Sequence, residues 1–327
     1  MPPTPSPSPA SRSRPRAGLS LVEVLVAMGV VGTLAGLLLP AASAAREAAR
    51  RAQCLSHQRQ IGLGVLGFEA ARRVFPASGW TRPGPGNPDG RAIGWRTLIL
   101  PHLEQADVRA LYDVRRHWWE GTNLAVASIP IPIYVCPSTP ALEPVTAAVA
   151  KPPRPALTLA RPLARADHEA IQGVQSAAVD RDRYGIGNRH AVMHRDSATR
   201  HAWITDGTSR TAMVVEAAGR PAVFRQGRPR TDLVNDQGIG WIDAEGAFSL
   251  DGATPDGARE GCGRAQGCTA AVNARNDNEP SSFHVGGIHA LFADGHVAFV
   301  EASIELEVMA ALCTRAAGDG PAGWPAD

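Results

Sequence analysis

This chain has few lysines, few aromatic residues and almost no excess of one charge. Its 327 residues include 33 basic and 31 acidic side chains, and Lys151 is the only lysine. The formal net charge is +2, and aromatic residues make up 5% of the chain. A protein that binds nucleic acid through its overall charge needs a field of one sign. The composition therefore predicts no nucleic-acid partner.

Cysteine and recognisable catalytic motifs are scarce as well. The five cysteines are too few for a disulfide-built scaffold, and no C-x-x-C pair indicates a zinc site. No G-x-S-x-G marks a nucleophile, and the glycines at 84, 86 and 90 lack the strand and helix that flank a phosphate-binding loop. We therefore expect no enzyme activity and no cofactor. The hydrophobic content of 44% nevertheless excludes a wholly disordered chain.

One long apolar run stands out near the N-terminus. Residues 19–39 contain a single ionisable side chain, Glu23, and follow a leader, 1–18, rich in Pro, Ser and Arg. As a helix the run spans about 31 Å, the thickness of a bilayer's hydrocarbon. The run is too long for a cleaved secretory signal, although alanines at 41, 42 and 44 resemble a cleavage site. A buried globular helix would contain more polar positions. The run therefore predicts a membrane-spanning helix.

The start of this run resembles the cleavage and methylation motif of type IV prepilins. Residues 16–23 form a basic leader that ends in Gly18, followed by Leu19, a small hydroxyl residue, two aliphatic residues and Glu23. The resemblance implies cleavage after Gly18 and N-methylation of Leu19 by a prepilin peptidase, and it implies that Glu23 meets the amino terminus of a neighbouring subunit. It also implies a cytoplasmic leader, because arginines on both sides of the run leave the orientation undecided by charge.

Residues 40–70 predict an extension of this helix. Pro40 closes the apolar run, and we expect it to kink or break the helix locally. Beyond it an apolar stripe recurs at spacings of four and three: Ala41, Ala45, Ala48, Ala52 and Leu55. The stripe suits packing in a filament core as well as packing on the chain's own domain, and the sequence does not choose between them.

The remaining residues, 71–327, predict an exported α+β domain in which the long helix packs on an antiparallel sheet, as in pilins. Asp294 and Gly295 lie between two apolar runs and predict a two-residue type I′ hairpin that pairs Phe292 with Val297.

Three other segments have patterns of their own. Residues 203–204 and 212–215 predict a second hairpin with a longer loop. Residues 129–135 predict a strand whose two prolines confine its start to a sheet edge. Six prolines in 140–162 predict a loop or linker.

Several short motifs carry a second resemblance. In chain order they lie at 44–51, 60–63, 75–76, 100–105, 136–138, 204–209, 276–280 and 291–295. Together they resemble a large bacterial family of exported proteins whose domain has no assigned function. The signature of that family is a prepilin-type N-terminus and a C-terminal His, nine residues, Asp-Gly. Here the signature residues are His284, Asp294 and Gly295.

An exported domain lies in an oxidising compartment, where disulfides form. We expect one disulfide between Cys54 and Cys136, which would join the long helix to the sheet. We expect another between Cys262 and Cys268, which would close a small loop.

We expect no metal site. His284, His289, Asp294 and His296 lie within thirteen residues, but Asp-Gly favours a turn and a loop histidine is most often a hydrogen-bonding group. Three aspartates do not have the spacing of an EF-hand: Asp251, Asp256 and Asp277.

Together these features predict a single-pass inner-membrane protein with a cytoplasmic N-terminus and a periplasmic or cell-surface domain. The favoured role is a pseudopilin-like structural or assembly subunit of a pilus or a type II secretion-like system. Its expected partners are the prepilin peptidase/N-methyltransferase, other pilin-like subunits and inner-membrane lipid. The alternative is a membrane-tethered module that binds a carbohydrate or protein ligand. Trp118 and Trp119 would suit a stacking surface or a partner contact, but two adjacent aromatic residues more often anchor a loop to a core. An exported hydrolase is the least favoured interpretation.

Overall fold

The computed structural model describes residues 20–84, 86–175, 184 and 189–318. The chain divides into two compact units, Met1–Ala48 and Ala49–Asp327. Within the described residues the helices are α1 Leu21–Arg72, α2 Trp95–Ile99, α3 Ala106–Ala110, α4 Asn123–Ala127 and α5 Leu306–Cys313. The strands are β1 Gly79–Trp80, β2 Ile93–Gly94, β3 Val145–Ala148, β4 Leu157–Leu163, β5 His168–Val174, β6 Ala212–Glu216, β7 Phe224–Arg225, β8 Arg228–Pro229, β9 Phe248–Leu250, β10 Gly287–Phe292 and β11 Val297–Glu301.

In the first unit, α1 begins with a reciprocal cap. The backbone N–H of Ser20 donates to Glu23 Oε2 at 2.8 Å, and the backbone N–H of Glu23 donates to Ser20 Oγ at 3.2 Å. This is a capping box, which satisfies two amide groups at the helix start. Residues 21–39 are all exposed, and α1 is long and apolar enough to cross a membrane. A signal sequence can have the same length and composition.

The helix continues through Pro40, so a break there is wrong, and a kink stays a prediction. Proline removes one helical hydrogen bond and crowds the carbonyl four residues earlier. Leucines and alanines, which are strong helix formers, flank it on both sides, and the helix absorbs this cost.

In the second unit, α1 packs through a face that differs from the predicted stripe. The buried positions along this face recur at spacings of four and three: Cys54, Gln58, Ile61, Val65 and Phe68. Within this unit the predicted stripe contributes only Ala52, which is exposed, and Leu55, which is half-buried. An alanine methyl buries little apolar area, so the larger side chains decide which face meets the sheet.

The central sheet has five strands in the order β11-β10-β6-β5-β9. Its neighbours pair antiparallel except β5 and β9, which run parallel. One face of the sheet shares a hydrophobic cluster with α1, through residues such as Ile61, Val214 and Leu291. The other face shares a second cluster with α5, through residues such as Val215 and Met309. The α+β expectation is therefore confirmed, with a mixed sheet lying between helices.

The hairpin between β10 and β11 is in the predicted place with a different register. Leu291 pairs with Val297, one residue away from the predicted pairing of Phe292. The Gly295 N–H donates to the Phe292 carbonyl at 2.9 Å, and only Gly295 of the Asp-Gly pair has a positive φ, +94°. A type I′ turn needs positive φ at both positions. The connection is therefore three residues long. The one-residue shift places each β11 side chain on the opposite face of the sheet from the β10 side chain with which it was predicted to pair.

Three other local predictions are wrong. Residues 201–203 form a 3-10 turn, and β6 pairs with β5 and β10. Pro132–Tyr134 is also a 3-10 turn, because prolines offer no N–H to a strand ladder. The predicted loop 140–162 contains β3 and most of β4, which pair as a two-stranded ribbon. Half-buried apolar side chains in both strands pack on the main core and offset the effect of the prolines.

Candidate functional site

Four side chains from distant parts of the chain meet in the second unit. Cys54 lies on α1, Cys136 follows the 3-10 turn Pro132–Tyr134, Glu216 ends β6, and His284 lies in the loop before β10. One sulfur, oxygen or nitrogen atom from each lies within 4.8 Å of the other three. All four residues are buried. We call this group the Cys-Glu-His cluster.

The carboxylate of Glu216 lies at the centre of the cluster. The Cys54 thiol donates to Glu216 Oε1 at 2.9 Å, and Nε2 of His284 lies 3.3 Å from the same oxygen. The Sγ of Cys136 lies 3.3 Å from Nε2 of His284. Oε1 of Glu216 and Nε2 of His284 thus bring both sulfurs into one small volume.

The second carboxylate oxygen of Glu216 is held from the neighbouring strand. The backbone N–H of His289 donates to Oε2 at 2.6 Å, and the Nδ1 atom of its ring lies 3.1 Å from the same oxygen. His289 is on β10, which pairs with β6. The pairing of these two strands therefore sets the direction in which Oε1 points.

Buried polar groups also fix the backbone around Cys136. The carboxylate of Asp167 accepts the backbone N–H of Cys136 at 2.9 Å, the hydroxyl of Thr139 at 2.9 Å and the backbone N–H of Gly219 at 2.9 Å. Asp167 precedes β5, so these bonds tie the Cys136 loop to the central sheet. Burial raises the pKa of Asp167, against the hydrogen bonds that lower it.

Two further side chains border the cluster on the α1 side. The Nε2 atom of Gln58 donates to the His289 carbonyl at 3.0 Å and lies 3.4 Å from Nδ1 of His168. The Nε2 atom of His168 lies 4.0 Å from the Cys54 sulfur. Burial lowers the pKa of His168 to about 3, so this imidazole is neutral at physiological pH.

The charges inside the cluster are coupled. Burial would lower the pKa of His284, but its hydrogen bonds to Cys136 and Glu216 raise that pKa to about 11. Burial would raise the pKa of Glu216, but hydrogen bonds from His284 and His289 bring it well below the usual range. The contact between the two thiols lowers the pKa of Cys136 and raises that of Cys54. The cluster therefore pairs an imidazolium with a carboxylate, and the pKa of the Cys136 thiol beside them is lowered.

The structure assigns different surroundings to the residues predicted from sequence. Gly18 and Leu19 lie outside the described residues, and Glu23 is exposed in the first turn of α1. Of the signature residues, His284 belongs to the cluster. Asp294 and Gly295 form the turn between β10 and β11, where Asp294 Oδ1 lies 2.7 Å from Nδ1 of His296.

The two cysteine pairs have different outcomes. Cys262 and Cys268 form a disulfide. Cys54 and Cys136 lie close together but are not bonded to each other. The structure therefore does not contain the disulfide that we predicted between them. Instead each sulfur contacts another cluster side chain, Glu216 for Cys54 and His284 for Cys136.

Two of the three aspartates considered for calcium have protein partners of their own. Asp277 is paired with the guanidinium groups of Arg225 and Arg275, each at 2.7 Å. Asp251 instead lies beside a buried glutamate, Glu279, whose Oε1 accepts the Asp251 backbone N–H at 2.9 Å. Burial, together with the nearby Glu260, raises the pKa of Asp251 to about 7.

Sequence reasoning missed Glu216 and Asp167. A signal for Glu216 exists, because it is the single acid at the end of an otherwise apolar strand, 212–216. A carboxylate in such a strand must be paired when it is buried. Asp167 has no comparable signal, since it lies in an ordinary run of mixed residues.

Residues 43–307 match the family described as Protein of unknown function (DUF1559), and this match includes the whole Cys-Glu-His cluster. The match covers well over half of the chain, so the protein belongs to this family. No curated protein and no solved structure gives a significant match. The apolar helix together with this domain is compatible with a membrane-anchored exported protein.

Proposed function

We propose that this protein is a pseudopilin-like subunit, anchored in the inner membrane by the first part of α1 and processed after Gly18 by a prepilin peptidase. Its second unit then lies in the periplasm or at the cell surface. Its partners are the peptidase and N-methyltransferase, other pilin-like subunits and inner-membrane lipid. Its role is structural, as an assembly subunit of a pilus or type II secretion-like system.

The observation that carries this proposal is the exposed apolar stretch 21–39 with one acid at its start. Burying this stretch in lipid removes a large apolar surface from water. Glu23 is the single charged side chain in it. A carboxylate in hydrocarbon needs a partner. After cleavage, the amino terminus at Leu19 of a neighbouring subunit supplies an ammonium group of opposite charge.

Mass spectrometry of the N-terminus tests the processing step. The full chain is isolated from membranes, and we expect a mature protein that begins with methylated Leu19. Gly18→Leu should leave the leader uncut. Gly29→Leu is the matched control, because nothing lies within 4 Å of a side chain added at Gly29. An unprocessed wild-type chain, or a chain cleaved after residues 41–44 as a secretory signal would be, contradicts the proposal.

Purification under mild detergent tests the assembly step. We expect the mature chain to co-purify with other pilin-like subunits or as filaments. A monomeric, processed chain would favour the tethered binding module instead. The structure offers little to that alternative at Trp118 and Trp119, because both indoles are buried, with residue exposures of 0% and 8%. They anchor the core and form no stacking surface.

A further inference from the structure

The Cys-Glu-His cluster presents four donor atoms of the types that bind transition metals. They are the sulfurs of Cys54 and Cys136, Oε1 of Glu216 and Nε2 of His284, all within 4.8 Å of one another. We propose that this cluster is a zinc site that joins α1, the Cys136 loop, β6 and the His284 loop.

The donor set selects zinc over calcium and magnesium. Thiolate sulfur and imidazole nitrogen suit Zn²⁺, whereas calcium and magnesium take oxygen ligands. Four ligands with no open position are typical of structural zinc sites. All four residues here are buried, and the side chains of Glu216 and His284 have 0% exposure. The burial therefore fits a closed structural centre.

Two separations between donor atoms match those of a tetrahedral site, and all of them are within 4.8 Å. Zinc bonds of 2.0–2.3 Å at tetrahedral angles place neighbouring donor atoms about 3.3–3.8 Å apart. Nε2 of His284 lies 3.3 Å from both Cys136 Sγ and Glu216 Oε1. The Cys54 sulfur lies 2.9 Å from Glu216 Oε1, the distance of a hydrogen bond. That one edge must lengthen by about 0.5 Å when a metal replaces the proton.

The groups around the donors orient them for coordination. Two N–H groups of His289 can hold Oε2 of Glu216, which leaves Oε1 as the coordinating atom. Asp167 fixes the backbone of Cys136 through its N–H. Hydrogen-bonded outer groups of this kind set ligand orientation and metal affinity.

Zinc binding to the Cys-Glu-His cluster releases as many positive charges, in the form of protons, as the metal ion brings. Zn²⁺ takes the place of the proton that Cys54 donates to Glu216 and of the proton shared by His284 and Cys136. Two protons are released, two thiolates, one carboxylate and one neutral imidazole remain, and no oxidant or reductant takes part. The net charge of the cluster is the same before and after binding, so the buried site gains four metal bonds without gaining a charge.

Metal analysis of the native full-length protein tests the proposal. The chain is purified from membranes in detergent without chelators, and we expect about one zinc per chain. After zinc is removed with a chelator, Cys54 and Cys136 should react with an alkylating reagent, and added zinc should protect both. Cobalt in place of zinc should show thiolate-to-cobalt charge-transfer absorption. These measurements use the wild-type chain, so they do not depend on the folding of any variant.

Matched cysteine variants locate the site. Cys136→Ser removes one of the four ligands and should weaken zinc binding by more than the roughly 10–100-fold that loss of an outer-shell group costs. Cys313→Ala should leave it unchanged, because Cys313 is a buried cysteine on α5 that does not belong to the cluster. A wild-type chain without zinc in which peptide mapping finds a Cys54–Cys136 disulfide would overturn the proposal. Equal zinc content in wild type and Cys136→Ser would also overturn it.

Discussion

The Nε2 atom of His284 lies 3.3 Å from the Sγ atom of Cys136, although 148 residues separate them along the chain. Cys136 follows a 3-10 turn and His284 precedes β10, so neither residue lies on a regular element. The contact closes a long stretch of chain around the central sheet. It also places the signature histidine among buried residues, whereas the signature Asp294 is exposed in its turn.

The first prediction separates the two roles available to Glu23. Glu23→Gln keeps an oxygen that can accept the Ser20 N–H and removes the charge, whereas Ser20→Ala removes half of the capping box and keeps the charge. If Glu23 acts through its charge, we expect Glu23→Gln to insert normally but to lose N-terminal methylation or assembly, as Glu23→Val should. Ser20→Ala should retain both.

The methylated fraction of the mature N-terminus, measured by mass spectrometry of membrane fractions, reports the outcome. Normal methylation and assembly in Glu23→Gln would show that Glu23 only caps the helix.

The second prediction concerns a buried ion pair next to β5. Arg96 donates to Glu169 Oε2 at 2.7 Å, and the two side chains have 1% and 2% exposure. Arg220 approaches the same oxygen at 3.7 Å. Glu169→Gln leaves two buried guanidinium groups without their counter-charge, so we expect it to lower the free energy of unfolding by about 3–5 kcal/mol.

Denaturant unfolding of the full chain in detergent measures this loss. Asp232→Asn is the control, because Asp232 forms an exposed ion pair with Arg230, and exposed pairs stabilise little. We expect no measurable change there. Equal stability of Glu169→Gln and Asp232→Asn would show that the buried pair does not hold the fold together.

The third prediction is a pH dependence that arises at Asp251. Burial and Glu260 raise its pKa from 3.8 to about 7, against a hydrogen bond from Asn278 and the charge of Arg275. A carboxyl group with a raised pKa binds its proton more tightly in the folded state. Its contribution to stability is therefore largest below its unfolded pKa of 3.8 and is lost as pH rises through about 7.

Asp251→Asn should remove this dependence. We expect the variant to gain thermal stability relative to wild type as pH rises from about 4 to about 7. Thermal unfolding midpoints of both proteins across that range give the comparison. A constant difference between the two midpoints at all pH values would contradict the assignment.

The fourth prediction concerns the cysteines. Non-reducing peptide mapping should find Cys262 linked to Cys268, with Cys54 and Cys136 not linked to each other. Replacing Cys262 and Cys268 together with serine should lower the free energy of unfolding by about 2 kcal/mol, because the disulfide closes a short loop with a separation of six residues.

A reporter that is active only in the periplasm, fused to the C-terminus, provides the matching topology test. We expect it to be active. Full alkylation of Cys262 and Cys268, together with an inactive reporter, would place the domain in the cytoplasm.

Local features of the chain were predictable where the physical cause is local. The apolar run 19–39 is apparent from composition, and Asp294-Gly295 marks a turn because of the conformations that these residues favour. The register of the β10–β11 hairpin was not predictable, because one extra residue in the turn changes it and the sequence alone does not fix the turn's length. The ribbon at 140–162 was missed because its half-buried apolar side chains gain their stability only from contact with the distant core.

By itself, the sequence determined that a long apolar helix with one acid precedes an α+β domain, since hydropathy and turn preference act over a few residues. Only the tertiary structure decided which face of that helix is buried and which polar groups meet there. Cys54, Cys136, Glu216 and His284 come from four separate segments, and the packing of α1 and the loops on the sheet places them together. A buried carboxylate with two sulfurs and an imidazole is stable only when each satisfies another, and that condition is set by three-dimensional contact.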